Sequence, residues 1–446
     1  MSLLLMVFLF GKKEAMRTPT FTIMDNEMYI SEISVSTLVN TYGTPLYVKN
    51  EQVIEENALM FLNHFQHTHV KSEVIYASKA FCTVAMLKLM NQLGLSVDVV
   101  SAGELLTALK ANVAPSRIYF HGNNKSEEEL LLALKHQVGT IVIDNAYEYH
   151  KITQLNRGKQ KVSLMLRVNP GIDAHTHEYI ATSKHDSKFG LSIYDAHTRA
   201  LIKEMSQDSS VDFVGIHSHI GSQIFSSQSY MEEVSTLANY MATLYHEDHI
   251  IFKKLNLGGG FGIKYTHEDS PLDLPEFLQV LIQHVYTSIT AHKLPTLTVC
   301  IEPGRSIVAE AGITLYRIST DKETLNGKNY CFIDGSMADH IRTALYQAEY
   351  LAILANRANE PAIIDYTITG KACESGDIII HHCPLPKVNE HDILAVLSTG
   401  AYHYSMASNY NRILKPPVVF VKYDQSRLVV RRETYEDLFS TEVIDA

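Results

Sequence analysis

Eight apolar runs of strand length recur between residues 74 and 301, and helix-length segments separate them. The runs are Val74–Ala77, Val97–Val100, Ile118–Phe120, Thr140–Ile143, Val162–Val168, Val211–His219, Leu255–Leu257 and Leu297–Ile301. Helical spacing fills stretches such as Val84–Leu93, Glu104–Lys110, Glu127–His136, Tyr194–Glu204, Met231–Tyr245 and Leu274–Thr290. Some have readable starts: Ser126 followed by three glutamates offers a capping hydroxyl and negative charge at the positive end of a helix. Eight strand–helix repeats over roughly 240 residues have the count and size of a (β/α)8 barrel. A doubly wound open sheet shows the same alternation. The polar residues favour the barrel, because they gather where strands end: Lys79, Asp98, Arg167, His219, Gly258 to Gly260 and Glu302. In a barrel all those ends face one mouth, where loops build active sites.

Past Arg305 the texture changes. Helical signals thin, and short β-branched runs alternate with turn residues at Ile313–Ile318, Tyr330–Ile333, Ile363–Thr369, Ile378–Ile380, Ile393–Leu397 and Val418–Val421. This predicts a mostly antiparallel β domain. Residues 16–48 read as strands with no partner ahead of the barrel, so they are expected to join that domain. The expected division is 16–48 with the β domain, 49–305 as the (β/α)8 barrel and 306–446 as the C-terminal β domain. Residues 1–15 are expected to be a leader outside the fold. Their apolar run is too short to span a bilayer, and Lys12 and Lys13 follow it, the wrong order for a secretory signal.

A chain of 446 residues is long enough for two cores. Its net charge of −11 and lack of any basic run argue against nucleic acid or an anionic membrane as partner. The five cysteines, Cys82, Cys300, Cys331, Cys373 and Cys383, are scattered and form no CxxC pair. A reducing, cytoplasmic setting follows, without disulfides or structural zinc.

Several strand ends carry residues suited to chemistry. Tyr76-Ala77-Ser78-Lys79 puts an amine at the carboxyl end of a buried strand, where desolvation would favour the neutral, imine-forming state; a solvated lysine is the plain alternative. Gly258-Gly259-Gly260 ends a strand in a turn whose bare backbone could hold a phosphate, or could be a tight turn only. The spacing is not that of a dinucleotide fingerprint. His217 and His219 bracket a strand end; a metal pair is conceivable, but no carboxylate motif accompanies them and no metal is expected. His219 as a flat ring against an aromatic cofactor, with Ser222 on a phosphate, suits the context better. Glu302-Pro303-Gly304-Arg305 can set a carboxylate against a pyridine nitrogen and a guanidinium fork against an anion; a surface ion pair is the alternative. In the β domain Cys373-Glu374-Ser375-Gly376-Asp377 places a thiol in a polar turn, and Arg342 to Tyr346 offers a second fork and a hydroxyl.

Together these motifs resemble the pyridoxal phosphate enzymes built like alanine racemase, and within them most closely the diaminopimelate decarboxylases. The matching pieces also include Asp98 to Glu104, His217 to Gln223 and Gly400-Ala401-Tyr402, and they keep the family's order from about residue 20 to the end. The resemblance implies that Lys79 binds the aldehyde of pyridoxal 5'-phosphate, that His219 stacks on the ring, and that Glu302 faces its nitrogen. Asp98 would lie beside the cofactor, and Ser222, Gly258, Gly259, Gly260, Gly304, Arg305 and Tyr402 would hold it, mainly at the phosphate. Arg305, Arg342, Tyr346 and Tyr402 would bind the substrate end with the retained carboxylate, and Glu374 the distal ammonium. Cys373, supplied across a homodimer interface, would return the proton after carbon dioxide leaves. The implied reaction is meso-2,6-diaminopimelate to L-lysine.

A sibling decarboxylase for ornithine, arginine or carboxynorspermidine is the nearest rival. Ornithine-type enzymes usually carry aspartate where this chain has Glu374, and their substrate gives Arg342 and Tyr346 no distal carboxylate. Alanine racemases keep an arginine at the ring nitrogen. A non-catalytic cofactor-binding protein would need no Cys373, and a metal-dependent barrel hydrolase would be sensitive to chelators.

Overall fold

The fold was taken from a computed structural model that describes residues 19–158, 160–172 and 187–443. The proposed leader, residues 1–15, lies outside the described residues. Eight parallel strands close on themselves: Lys71–Ala77, Ser96–Val99, Ile118–Phe120, Thr140–Ile143, Val162–Asn169, Val211–His217, Lys254–Asn256 and Thr298–Ile301. The last pairs with the first, Ile301 opposite Val74, so the barrel has no open edge and the doubly wound alternative is excluded.

Local chemistry sets the helices between them. Thr83, Ser101 and Asn145 each accept a backbone N–H at a helix start, and Ser126 forms a reciprocal capping box with Glu129. Inside the barrel, Ile75, Tyr119, Val142, Met165, Val214 and Cys300 pack as one apolar layer. Below it the amino-terminal end is plugged by charge. Glu73 accepts from Ser96 Oγ at 2.6 Å, Tyr119 at 2.7 Å and Lys254 Nζ at 3.0 Å. With that end closed, the carboxyl mouth is where a ligand enters.

The second domain is a mixed sheet in which most neighbours are antiparallel. Two pairings are parallel: Asn329–Ile333 with Ile364–Thr369, and Leu46–Asn50 with Val418–Lys422. Segment 16–48 divides. Leu46–Asn50 enters the large sheet beside Gly312–Glu323. Thr22–Met24, Glu27–Ile30 and Ile33–Ser34 form a small sheet of their own. Val35–Tyr42 is a helix where strand was expected; Ser34 caps it, and Val35, Leu38 and Val39 turn one apolar face inward. Met28, Ile30 and Leu38 share a core with Val48, Ile313 and Val419, so this segment packs on the β domain.

The two domains meet beside the barrel mouth. Tyr402 donates its backbone N–H to Ala80 O at 2.8 Å, and buried Lys49 donates to Gly400 O. Burial pushes the Lys49 amine down to about 7. No helix of the described residues is long and apolar enough to cross a membrane.

Candidate active site

A small cavity of about 50 Å³ opens at the mouth, lined by Lys79, Asp98, His219, Ser222, Gly259, Gly260, Glu302, Gly304, Arg305 and Tyr402. Lys79 sits in a single 3-10 turn, Ser78–Ala80, that follows the first barrel strand. Its neighbours Ser78 and Ala80 are buried, while Lys79 itself is exposed at the cavity.

Glu302 is the most elaborately held group. Its carboxylate accepts from Asn256 Nδ2 at 2.7 Å and His217 Nε2 at 3.2 Å, and His121 Nε2 lies 3.0 Å away. Burial opposes ionisation, but the two imidazoles outweigh it and keep the carboxyl well below the usual range. Burial pushes His217 down to about 4, so at neutral pH it is an uncharged donor to Glu302. Asp98 behaves oppositely: burial pushes its carboxyl up to about 7, with Glu302 repelling it and His121 and Lys79 pulling back.

The His217–His219 pairing considered for a metal does not form the cluster. His217 is engaged by Glu302, while His219 Nδ1 accepts from the Gly259 N–H at 3.2 Å. Burial, then the nearby Lys79, holds His219 well below its ordinary value, so its ring is neutral. Among the described residues, His121, His217 and Glu302 do bring ligating atoms within 4.8 Å of one another. Their close contacts are with each other, in the pattern of imidazoles holding a carboxylate.

The glycine turn is bare of necessity. A β-carbon on Gly259 would strike Glu302 O, one on Gly260 would strike Gly221 O, and Gly258 and Gly260 both have positive φ, 66° and 99°. Gly258 backs this turn without lining the cavity. Arg305, buried, donates to Tyr265 Oη at 2.6 Å and Ser222 Oγ at 3.0 Å, and its guanidinium lies 4.8 Å from the Tyr402 ring centre. Arg342 reaches the same ring from the β domain at 5.3 Å and Tyr346 at 5.0 Å. Its Nε donates to Tyr350 Oη at 2.9 Å. Arg342 and Tyr346 are therefore joined to the cavity through Tyr402.

Cys373 and Glu374 are apart from this assembly. They occupy an exposed turn after strand Ile364–Thr369. The Cys373 N–H donates to Asn411 Oδ1, and Glu374 accepts from Tyr410 Oη. Neither lines the cavity.

Pyridoxal phosphate can be tested against these residues. The pocket offers a lone amine, a flat neutral imidazole, an ionised carboxylate for a protonated ring nitrogen, and a bare backbone turn next to hydroxyl and guanidinium donors. Arg305 Nε and Ser306 Oγ are buried without a hydrogen-bond partner. Unpaired donors beside a bare turn are what a phosphate satisfies. The residues fit the group.

Sequence reasoning overlooked His121, Asn256 and Tyr265. His121 follows the third strand directly, and the rule that singled out Asp98 and His219 at strand ends would have found it. Asn256 sits inside a strand run, and only closure of the barrel reveals its neighbour.

Residues 52–309 match the family described as "Pyridoxal-dependent decarboxylase, pyridoxal binding domain". The diaminopimelate decarboxylase of Halalkalibacterium halodurans is 45% identical over 411 residues, covering 92% of this chain and 93% of that one. That of Bacillus subtilis is 46% identical over 402 residues, covering 90% and 92%. Among solved structures, the M. jannaschii diaminopimelate decarboxylase in complex with L-lysine superposes with a TM-score of 0.88 at 31% identity, covering 95% of this chain and 98% of that one.

Proposed function

The chain belongs to the diaminopimelate decarboxylase family of pyridoxal-dependent decarboxylases, and from that premise we propose how its own residues carry the reaction. It is a pyridoxal phosphate-dependent amino-acid decarboxylase that converts meso-2,6-diaminopimelate to L-lysine and carbon dioxide. In a cell this is a step of lysine biosynthesis.

Pyridoxal phosphate, when bound, supplies an electron sink for the bond to the departing carboxylate. Every other requirement falls on the protein. Lys79 would hold the aldehyde end of the cofactor through its amine. Glu302 would face the ring nitrogen as a carboxylate, the state in which His121, His217 and Asn256 hold it. That arrangement, in the cavity that also holds Lys79, is the observation that carries this reading. His219, being neutral, offers its ring face without adding a competing cation. Asp98 lies beside Lys79 at a value where it can exchange a proton. Ser222, the glycine turn, Gly304, Arg305 and Tyr402 hold the phosphate end.

Arg342 and Tyr346, with Arg305 and Tyr402, bind the carboxylate that the substrate keeps. Glu374 pairs with the distal ammonium, and Cys373 Sγ returns a proton to the α-carbon. These last two come from a second copy of the chain. What supports this is their exposure on a turn outside the cavity, while Arg342 and Tyr346 already reach toward it from the same chain. The protein then works as a homodimer with its sites at the interface. All five cysteines are free, which suits a cytoplasmic protein.

Product analysis tests the substrate. The purified protein with pyridoxal phosphate should release L-lysine from meso-diaminopimelate and leave ornithine, arginine and carboxynorspermidine largely untouched. Preferential turnover of any of the three would transfer the chain to a sibling activity.

A further inference from the structure

Helix Ser227–Asp248 packs behind the glycine turn and carries two buried polar side chains one turn apart on that face, Tyr230 and Glu233. Tyr230 donates its hydroxyl to Gly259 O at 3.2 Å. Glu233 is wholly buried and faces Ser218, the residue between His217 and His219. Both carboxyl oxygens of Glu233 and the Ser218 hydroxyl are buried without a hydrogen-bond partner. Among the described residues no cation acts on this carboxyl: the groups around it are Tyr230 on its own helix and Ser218 on the strand end. Ser218 is itself part of the cradle's frame. Its N–H donates to Asn256 O at 2.8 Å, and its carbonyl lies against Gly258 so closely that a β-carbon there would collide with it.

We propose that Glu233 is a positioning residue for the cofactor site, acting as an uncharged carboxylic acid that shares a proton with Ser218 and, with Tyr230, braces the His217–His219 strand end against the glycine turn. Through Ser218 it fixes His219 in the cavity and His217 on Glu302, touching neither cofactor nor substrate. Burial pushes its carboxyl up to about 8, so the brace is intact at neutral pH. Above that value the site would contain a buried anion with no positive partner, which costs far more than the neutral acid.

This rests on the assignment of the glycine turn and Lys79 to pyridoxal phosphate, which is checked separately. Borohydride reduction of the holoenzyme and peptide mapping should place a pyridoxyl label on Lys79; its absence would overturn both readings. With the label in place, release of pyridoxal phosphate from the holoenzyme is followed on dilution between pH 6.5 and 9.5. Wild type should release it faster as pH rises through about 8, by up to about tenfold per pH unit for a single proton. Glu233→Gln, which keeps a neutral donor, should match wild type at pH 7 and lack that rise. Glu233→Ala should release it severalfold faster at all pH values, and should it not fold, the Gln variant still decides. A wild-type protein without the rise, a Gln variant that keeps it, or a Gln variant that releases at pH 7 as fast as an Ala variant would each refute the brace.

Discussion

The Glu302 side of the site and the Cys373 side are built in opposite ways. Around Glu302 every partner is in the same chain, buried, and fixed by strands of one closed barrel: Asn256 on the seventh strand, His217 on the sixth, His121 just past the third. Around Cys373 the backbone is tied to Asn411 and Glu374 to Tyr410, but the thiol is exposed. An ionised carboxylate inside a protein needs permanent partners, and a closed barrel supplies them at no further entropic cost. A proton donor that must reach a substrate entering from solvent is better placed on a second body that completes the site after assembly. On the proposed reading the contrast divides the work: one chain would hold the cofactor, and two chains would make the catalyst.

The sharpest way to break this division is to disable its halves separately. Lys79→Ala should abolish decarboxylation and the cofactor's absorbance together; a variant retaining a borohydride-fixable link would place the attachment elsewhere. Cys373→Ala should keep the cofactor and lose about 100- to 10,000-fold in turnover, the usual range for one acid–base group. A large loss of cofactor affinity would mean the two sides are not independent. Mixing the two inactive variants under conditions that exchange subunits should restore about a quarter of wild-type activity, since half the dimers would carry one intact site. No recovery, with exchange demonstrated by native mass spectrometry, would put Cys373 and Lys79 in the same chain's site.

A smaller effect tests the role of the turn next to the thiol. Glu374→Asp shortens the carboxylate by one methylene, and kcat/KM for diaminopimelate relative to ornithine should fall about tenfold, the scale of one charged hydrogen bond. An unchanged ratio would mean that another group reads the distal ammonium.

The barrel side was also the more legible in sequence, for the same physical reason. A parallel strand buried on both faces is an unbroken apolar run, so the polar residue that ends it stands out; Lys79, Asp98, His219 and Glu302 were each visible that way. The partners of Glu302 were not, because which strand ends oppose one another is set by barrel closure, and Asn256 looks like a turn residue until Thr298–Ile301 is placed beside it. Helix Val35–Tyr42 was missed because Val35, Val39 and Thr41 favour strands locally, and its packing against Val48 and Ile313 decides otherwise. The position of the Cys373 turn relative to the cavity is not written in any local pattern at all. Only the likeness to a family suggested it.

The smallest effect belongs wholly to the barrel side and turns on sign. An exposed histidine titrates near 6.5, whereas burial depresses His217 to about 4. Between those values the unfolded chain binds a proton that His217 refuses in the folded chain, so the contribution of His217 to stability is complete above about pH 6.5 and declines as pH falls toward 4. Glu302 acts in the same direction from about pH 4.5 downward, at the lower edge of this window, because its carboxyl is held well below the usual range. One fully buried histidine can contribute at most about 3 kcal/mol here. His217→Asn should therefore flatten the fall in thermal midpoint between pH 6.5 and 4.5, even if it lowers the midpoint at pH 7. Cys373→Ala, on the exposed side, should leave that slope as it is. If both variants keep the wild-type slope, the acid-sensitive group lies outside the Glu302 cluster, and the buried His340, depressed to about 3, becomes the next to replace.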